Sequence, residues 1–149
     1  MAPRTLLAID PGLQKLGWAF FTDQTLTRAG LSRTSCIVSD LQELVDIHAR
    51  NLPCAEASVV EQMWVYPGGG KGDPNDLVRI AIVGACLAER KADSCSFVPA
   101  WKWKGQVPKE IHHARTRKIL NEEENLLLTR ANHDTMDAVA LGLWALGRK

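Results

Sequence analysis

The segment LLAIDPGLQKLGWAFF, residues 6–21, decides the fold. Two runs of apolar residues flank a Pro-Gly turn at residues 11–12, a pattern that favours a pair of strands joined tightly. The sequence therefore predicts strands over residues 5–10 and 16–22.

Asp10 stands at the tip of the first of these strands. Alternation along the strand places Leu6, Ala8 and Asp10 on one face. A carboxylate on a core-facing position is costly unless a cation or a metal ion pairs with it, or its pKa rises until it is neutral. Asp10 is therefore a candidate functional residue.

Outward from this hairpin, strands and helices alternate. Ser39–Gln42 has the form of a capping box, and Asn75 is a second candidate N-cap. Such alternation indicates an α/β protein in which a mixed sheet carries helices packed on it. The patterns predict further strands near 28–35, 57–65 and 94–99 and helices over about 41–52, 75–91, part of 109–123, and 133–146.

Length and composition fit a soluble protein with one domain, residues 1–149. Apolar residues make up 46% and charged residues 23%, which excludes a disordered chain. The four cysteines form no CxxC pair, so we expect reduced thiols, mostly in the core. With no signal-peptide pattern and no apolar run long enough to cross a bilayer, we expect a cytoplasmic protein.

The net charge is only +1, but the positive charge is concentrated in one segment, residues 101–118. Six lysines and arginines stand there against Glu110 alone. This basic segment is either an electrostatic footprint for nucleic acid or a solvated helix face with a basic loop. The glycine-rich loop at 67–76 does not fit the P-loop pattern GxxxxGK[ST].

Three further carboxylates occupy positions that a simple core does not explain. Glu61 lies between apolar residues in VVEQMW, in the middle of the strand predicted over 57–65. Asp134 and Asp137 in HDTMDA share one face of the last helix. The helix dipole explains Asp134 but not Asp137. With Asp10 they indicate an all-oxygen site for Mg²⁺ or Mn²⁺, where two ions can activate water and stabilise the leaving oxygen.

Together these motifs resemble one family. IDPG at 9–12 with LGWAF at 16–20, VVEQ at 59–62, and HDTMDAVALGLWA at 133–145 are similar to the motifs of RuvC-type Holliday junction resolvases. They occur in the same order and span almost the whole chain. The resemblance implies an RNase H-like fold, a mixed β-sheet flanked by α-helices, and the short chain looks like a phage or prophage version.

The resemblance also implies an activity and its residues. It predicts a crossover junction endodeoxyribonuclease that cleaves four-way junctions with two Mg²⁺ ions, Mn²⁺ being the alternative. The catalytic, metal-binding residues would be Asp10, Glu61, Asp134 and Asp137. Some members of the family carry His at the third position, so His133 is an alternative to Asp134.

For DNA binding, the family's aromatic wedge after the glutamate motif corresponds to Trp64 or Tyr66. The family's lysines near the scissile phosphate fall within the basic segment, where Trp101 and Trp103 either contact DNA or cover the core. The candidate DNA-binding residues are Trp64, Tyr66, Lys71, Lys102, Lys104, Lys109 and Arg115.

Two symmetric nicks require two active sites, so the expected partners are branched DNA and a second copy of the chain in a homodimer. Alternatives with the same fold are a flap or fork nuclease and a YqgF-like RNase. Alternatives of another class are a non-catalytic DNA-binding module and an actin-like nucleotide-binding protein, although the short chain lacks the second hairpin of the latter.

Overall fold

The computed structural model describes residues 2–34, 38–68 and 72–149. The described part is an α/β fold with one five-stranded sheet. The strands are β1 (Thr5–Asp10), β2 (Lys15–Thr22), β3 (Thr25–Arg33), β4 (Ala55–Gln62) and β5 (Ala92–Pro99). The helices are α1 (Leu41–Asn51), α2 (Pro74–Lys91), α3 (Ala100–Trp103), α4 (Lys109–Ile119), α5 (Glu122–Leu127) and α6 (His133–Ala145).

The strands lie in the order β3-β2-β1-β4-β5, with β1 at the centre. β1 runs parallel to β4 and β4 to β5, whereas β2 is antiparallel to both β1 and β3. One edge of the sheet therefore collects the carboxyl ends of β1, β3, β4 and β5 and the amino end of β2. We call it the carboxyl edge.

Helices cover both faces of the sheet, and strand alternation divides the core between them. Leu6 and Ala8 of β1 pack in a cluster with α6, whereas Leu7 and Ile9 pack in a second cluster with α1 and α2. Successive side chains of a strand point to opposite faces. Asp10, two residues beyond Ala8, thus belongs to the face that α6 covers, as the sequence predicted.

The turn between β1 and β2 is held by a buried histidine. His48 of α1 is fully buried, and its Nε2 donates to the carbonyl oxygen of Leu13 at 2.8 Å. The Nδ1 atom then accepts from Ser32 Oγ at 2.7 Å, and Ser32 Oγ accepts in turn from Asn51. Burial lowers the pKa of His48, which favours this neutral form. The helical spacing of the apolar residues that follow Ser39 predicts a satisfied, partly buried histidine at position 48, and this prediction is confirmed.

A buried ion pair holds the other end of the chain. The guanidinium of Arg148 donates to both carboxylate oxygens of Glu124, which is 1% exposed. The same carboxylate accepts from the backbone N–H groups of Leu26 and Asn121. These bonds, chiefly those from Arg148, lower the pKa of Glu124 to about 2. The cluster ties α5 and the chain end to β3.

Several predicted boundaries were wrong. β4 ends at Gln62, so Glu61 lies near the strand end and not in its middle. The N-cap of α1 is Asp40, which accepts from the Glu43 N–H, and that of α2 is Asp73. Asparagine and aspartate side chains compete closely for N-cap positions, so the pattern could not choose between neighbours. The helix predicted within part of 109–123 is confirmed as α4, and Asn121 then caps a further helix, α5, that the sequence did not predict.

Two predictions about burial were also wrong. Cys54, Cys86 and Cys95 are exposed free thiols and not core residues, and Cys36 lies outside the described residues. Helical spacing in the last helix predicts an apolar stripe that includes Trp144, but this side chain is 42% exposed. Within the described ranges, none of the helices combines the length and apolar character that crossing a bilayer needs.

Candidate active site

Two carboxylates meet at the carboxyl edge because β1 and β4 are parallel neighbours. Ile9 pairs with Val60, so Asp10 and Glu61 follow one residue further along adjacent strands. Val59 packs on the α6 face, which places Glu61 on that face with Asp10. Both side chains are partly buried. The sheet thus brings together two acids that stand 51 residues apart in sequence.

The other two acids come from α6, which crosses this face with its first turns over the carboxyl edge. Asp134 lies in the first turn and Asp137 in the second. Gly17, the cross-strand partner of Asp10, permits the approach, since a Cβ atom there would overlap the carbonyl group of Asp134. The absence of a side chain at Gly17 therefore sets the distance between α6 and β2.

The other three carboxylates all affect the pKa of Asp10. Burial raises the pKa of Asp10 well above its usual value, and the carboxylates of Glu61, Asp137 and Asp134 raise it further, in that order. The ammonium group of Lys104 opposes them. Asp10 thus carries the electrostatic effect of three further carboxylates, and its part in a metal site stays a prediction.

Glu61 has an unsatisfied oxygen. Burial raises its pKa, and the charge of Asp137 raises it further, against lowering by Lys104 and Lys109. Its Oε2 atom is buried and has no hydrogen-bond partner among the described residues. The nearby indole of Trp103 also keeps a buried Nε1 without a bond of normal geometry. A buried acceptor with no donor is costly, and a cation would satisfy it.

The carboxylate of Asp137 is contacted by two lysines and a histidine. Asp137 is 4% exposed, yet Lys104 Nζ lies 2.7 Å from its Oδ2 and His113 Nε2 lies 2.7 Å from its Oδ1. Lys109 Nζ lies 3.7 Å from Oδ2. Burial alone would raise the pKa of Asp137, but the hydrogen bonds from Lys104 and His113 outweigh burial and lower it. The ion of Asp137 is therefore stable at neutral pH.

Asp134 and His133, the two alternatives for the third metal-binding residue, have different neighbours. Asp134 acts on the pKa of Asp10, and Lys15 Nζ lies 3.7 Å from its Oδ2. His133 is exposed and stacks on His113, with ring centroids 5.4 Å apart. Of the two alternatives for the third metal-binding position, Asp134 raises the pKa of Asp10, and His133 is not among the residues that affect it.

The donor set suits a hard divalent cation, since four carboxylates supply only oxygen and Glu61 Oε2 has no partner. Within the part of the chain that is described, no three His, Cys, Asp or Glu side chains are grouped closely enough to form a complete ligand set. Both oxygens of Asp137 are engaged within the protein, Oδ2 by Lys104 and Oδ1 by His113.

Exposed aromatic side chains lie beside the acids. Trp64, three residues after Glu61, is 47% exposed and packs edge-to-face on Trp101, with ring centroids 5.0 Å apart. Trp101 is 48% and Tyr66 57% exposed. Trp103 is buried at 8%, so of the two tryptophans in the basic segment one covers the core and the other faces solvent.

The basic segment folds as α3, a turn and α4, beside Asp137. Lys102 and Arg115 are exposed, whereas Lys104 and Lys109 turn toward the acids. Lys71 lies outside the described residues. The sequence thus identified residues on this flank of the site, but it assigned Lys104 only to DNA, and in the structure that side chain contacts Asp137.

The same architecture occurs in solved structures. Thermus thermophilus RuvC in complex with a Holliday junction substrate matches 93% of this chain and 90% of that chain, with a TM-score of 0.64 and 20% identity. Another Thermus thermophilus RuvC structure matches 97% of both chains, with a TM-score of 0.58 and 17% identity. The chain has the RuvC fold. The predicted RNase H-like class is confirmed.

This similarity to RuvC is one of structure. No protein-family model matches the chain, and no curated protein matches it in sequence. At 17–20% identity the RuvC likeness establishes the fold, and the roles of individual residues rest on the geometry of this chain.

Two residues of the site were not expected from the sequence. His113 bonds to Asp137, and Lys15 pairs with Asp134. Lys15 could have been found, because it starts a strand whose third residue is the partner of Asp10. His113 could not, since nothing in a histidine pair within a basic helix indicates which acid it faces.

Proposed function

We propose that the protein is a divalent-metal-dependent endonuclease that cleaves branched DNA, with four-way junctions as the preferred substrate. The observation that carries this proposal is the acidic cluster centred on Asp10, in which Glu61, Asp137 and Asp134 all raise one pKa. Such a set of carboxylates is electrostatically unfavourable without a cation. The RuvC fold is consistent with nuclease chemistry at this edge of the sheet.

Asp10, Glu61, Asp134 and Asp137 would hold Mg²⁺ or Mn²⁺, two ions being the expected number. Bound there, the ions would supply a water nucleophile at neutral pH and stabilise the departing oxygen of the phosphodiester. The chain's own residues have separate tasks. Lys104 holds Oδ2 of Asp137 and His113 holds Oδ1, so a cation that binds one of these oxygens would displace the group that holds it. The displaced side chain could then contact a phosphate of the substrate.

DNA would approach over the carboxyl edge. Lys102 and Arg115 are exposed and could contact backbone phosphates, and Lys109 Nζ lies 3.7 Å from Asp137 Oδ2. Trp64, Trp101 and Tyr66 present aromatic faces that can stack on bases unpaired at a branch point. One of the RuvC structures with this fold contains a Holliday junction substrate, which supports branched DNA as the substrate class.

We further propose that the working form is a homodimer. A four-way junction is resolved by two symmetric nicks, and a two-fold dimer supplies two active sites in the matching arrangement. Each chain would carry one set of the four proposed acids, so a monomer would cut only one strand at a time.

The decisive experiment is a cleavage assay on a synthetic four-way junction, with Mg²⁺, with Mn²⁺ and with EDTA. We expect paired nicks that require the metal, and we expect Asp10→Asn to abolish them while junction binding in Ca²⁺ persists. Full cleavage by Asp10→Asn would remove the central assignment.

Substrates in the same assay separate the alternatives. Preference for a flap or a fork over the junction would favour a nuclease of that class, and cleavage of structured RNA alone would favour a YqgF-like RNase. No cleavage of any substrate in either metal, with binding retained, would favour a non-catalytic DNA-binding module.

A further inference from the structure

A second basic surface lies on the side of the acids opposite the basic segment. It consists of Lys15, Arg33 and Arg130, and we call it the β3-side groove. Lys15 begins β2 and Arg33 ends β3, so both reach the carboxyl edge. The sheet order is β3-β2-β1-β4-β5, which places this surface on the β3 flank of Asp10 and the segment after β5 on the other flank.

The charges in this groove are placed unfavourably for the protein alone. Lys15 and Arg33 are direct cross-strand partners. Like charges directly opposite each other destabilise a sheet. Lys15 is partly compensated by Asp134, whose Oδ2 lies 3.7 Å from its Nζ. Arg33 forms no ion pair or side-chain hydrogen bond with any residue of the described ranges, so its charge has no protein partner there.

Arg33 also lines a concave space with a second unpaired arginine. The cavity has a volume of about 300 Å³ and opens between β3 and the turn before α6. Arg130 stands on that turn and, like Arg33, makes no ion pair within the described structure. No acidic residue lines the cavity, whose walls are Ala29, Gly30, Leu31, Arg33, Leu127, Arg130, Ala131, Asn132 and Thr135.

We infer that the β3-side groove binds the phosphodiester backbone of a DNA arm that leaves the acidic cluster on this flank. The inference rests on the proposed function for the substrate, but it concerns residues that the motifs do not include. Arginine favours phosphate because its planar guanidinium donates two parallel hydrogen bonds to the oxyanion. Asn132 and Thr135, next to Asp134 on α6, also line the groove, which makes it continuous with the acidic cluster.

With the groove in place, positive charge flanks the acids on both sides. The basic segment would hold the backbone on the β5 flank and the groove on the β3 flank. The duplex would then cross the carboxyl edge with the phosphate between them at the acids. Contacts of this kind position DNA without reading its sequence.

The test compares Arg33→Gln/Arg130→Gln with Arg50→Gln, a matched control on an exposed arginine near the end of α1. Binding of a labelled four-way junction is measured by fluorescence anisotropy in Ca²⁺ at several KCl concentrations. Two lost phosphate contacts lower the slope of log affinity against log salt by about two, and we expect at least about 10-fold weaker binding at moderate salt. Arg50→Gln is expected to bind like the wild type.

Equal affinity and equal salt slope for the double variant and the control would overturn the inference. A parallel titration with inorganic phosphate identifies a small-anion site. If the double variant loses phosphate binding but keeps wild-type junction affinity, the groove is not a DNA contact. Cleavage in Mg²⁺ and in Mn²⁺ is measured in a separate assay. A wild-type protein that binds DNA through the groove but does not cut it would contradict the proposed function and leave this inference standing.

Discussion

Gly17 and Asp134 touch through their backbones, and no side chain fits between them. A Cβ atom at position 17 would overlap the carbonyl oxygen of Asp134. Because Gly17 is also the cross-strand partner of Asp10, this contact sets how closely the first turn of α6 approaches the tip of β1. The position of Asp134 relative to Asp10 therefore depends on residue 17 having no Cβ atom.

Gly17→Ala should therefore displace the start of α6 and separate Asp134 from Asp10. We expect a loss of unfolding free energy of about 1–3 kcal/mol, typical of overpacking, and a loss of metal-dependent cleavage at temperatures where the variant is folded. Chemical denaturation and the junction assay measure the two effects.

Gly142→Ala is the matched control. Gly142 lets α6 pack on Phe21, far from the carboxyl edge, and a Cβ there would overlap the Phe21 ring. We expect a similar loss of stability with cleavage retained in the folded protein. If both variants lose cleavage equally, the contact at Gly17 has no special role in the site.

Asp10→Asn should stabilise the protein in EDTA. The pKa of Asp10 is raised in the folded state, so its ionisation costs folding free energy at every pH above that raised value. A neutral amide removes the cost, and we expect a melting temperature a few degrees higher at pH 7.5. Adding Mg²⁺ should stabilise the wild type and have little effect on the variant.

Asp93→Asn, a change of the same chemistry on an exposed residue of β5, is the control and should leave both melting temperatures unchanged. An Asp10→Asn protein that melts below the wild type in EDTA would contradict the unfavourable field we describe.

Trp64→Ala should weaken binding to a four-way junction more than binding to a linear duplex. Stacking of an aromatic side chain on a base contributes about 1–3 kcal/mol, so we expect about 5- to 100-fold weaker junction binding. Trp101→Ala should give a smaller loss, since the edge-to-face contact that orients Trp64 contributes about 0.5–1.5 kcal/mol.

The buried pair of Glu124 and Arg148 should make stability depend on acid pH. The pKa of Glu124 is 4.5 in the unfolded chain and about 2 in the fold. Its stabilisation is therefore complete above pH 4.5 and is lost as the pH falls toward 2. The difference corresponds to about 3 kcal/mol, which urea unfolding at pH 7, 4 and 2.5 would measure in the wild type and in Glu124→Gln.

At pH 7, Arg148→Ala should cost about 3–5 kcal/mol, because it leaves a buried charge without its partner. Arg90→Ala breaks the exposed ion pair with Asp46 and should cost under about 1 kcal/mol. If the two variants lost similar amounts of unfolding free energy, burial of the Glu124–Arg148 pair would not add to its contribution to stability.

A mixed dimer would test the paired-nick proposal. Wild type and Asp10→Asn chains carrying different tags are co-expressed, and the heterodimer is isolated with both tags. We expect this species to cut one strand of a junction and to stop there, whereas the wild-type homodimer cuts two. Light scattering gives the mass of the wild type, with the dimer expected at twice 16.4 kDa. A monomeric wild type that makes both nicks would rule out the dimer.

Local patterns determined much of the fold. The hairpin was predicted because apolar alternation and a Pro-Gly turn are properties of neighbouring residues, and β1 and β2 lie within one residue of the predicted ranges. The face of Asp10 followed from strand alternation alone. Caps and helix ends were less secure, since Ser39 and Asp40 are both good N-cap residues and the helix uses only one of them.

The partners of the acids were decided by the tertiary structure. Lys104 and His113 reach Asp137 across 33 and 24 residues of sequence, and no local rule gives the direction of such long side chains. The exposure of the cysteines was likewise set by the way in which helices cover the sheet. Long-range contacts depend on how elements pack, and a single sequence records that packing only indirectly.

From the sequence alone come the strand that ends in Asp10, the spacing of the acids and the family that these motifs resemble. The neighbours of the acids were decided by the tertiary structure. It brings Gly17 against Asp134, Lys104 to Asp137, and two unpaired arginines to the β3 flank of the site. The physical reason is one of range. Hydrogen bonding and alternation act between near neighbours in the chain, whereas electrostatic pairing and close packing act between whatever surfaces the folded chain brings together.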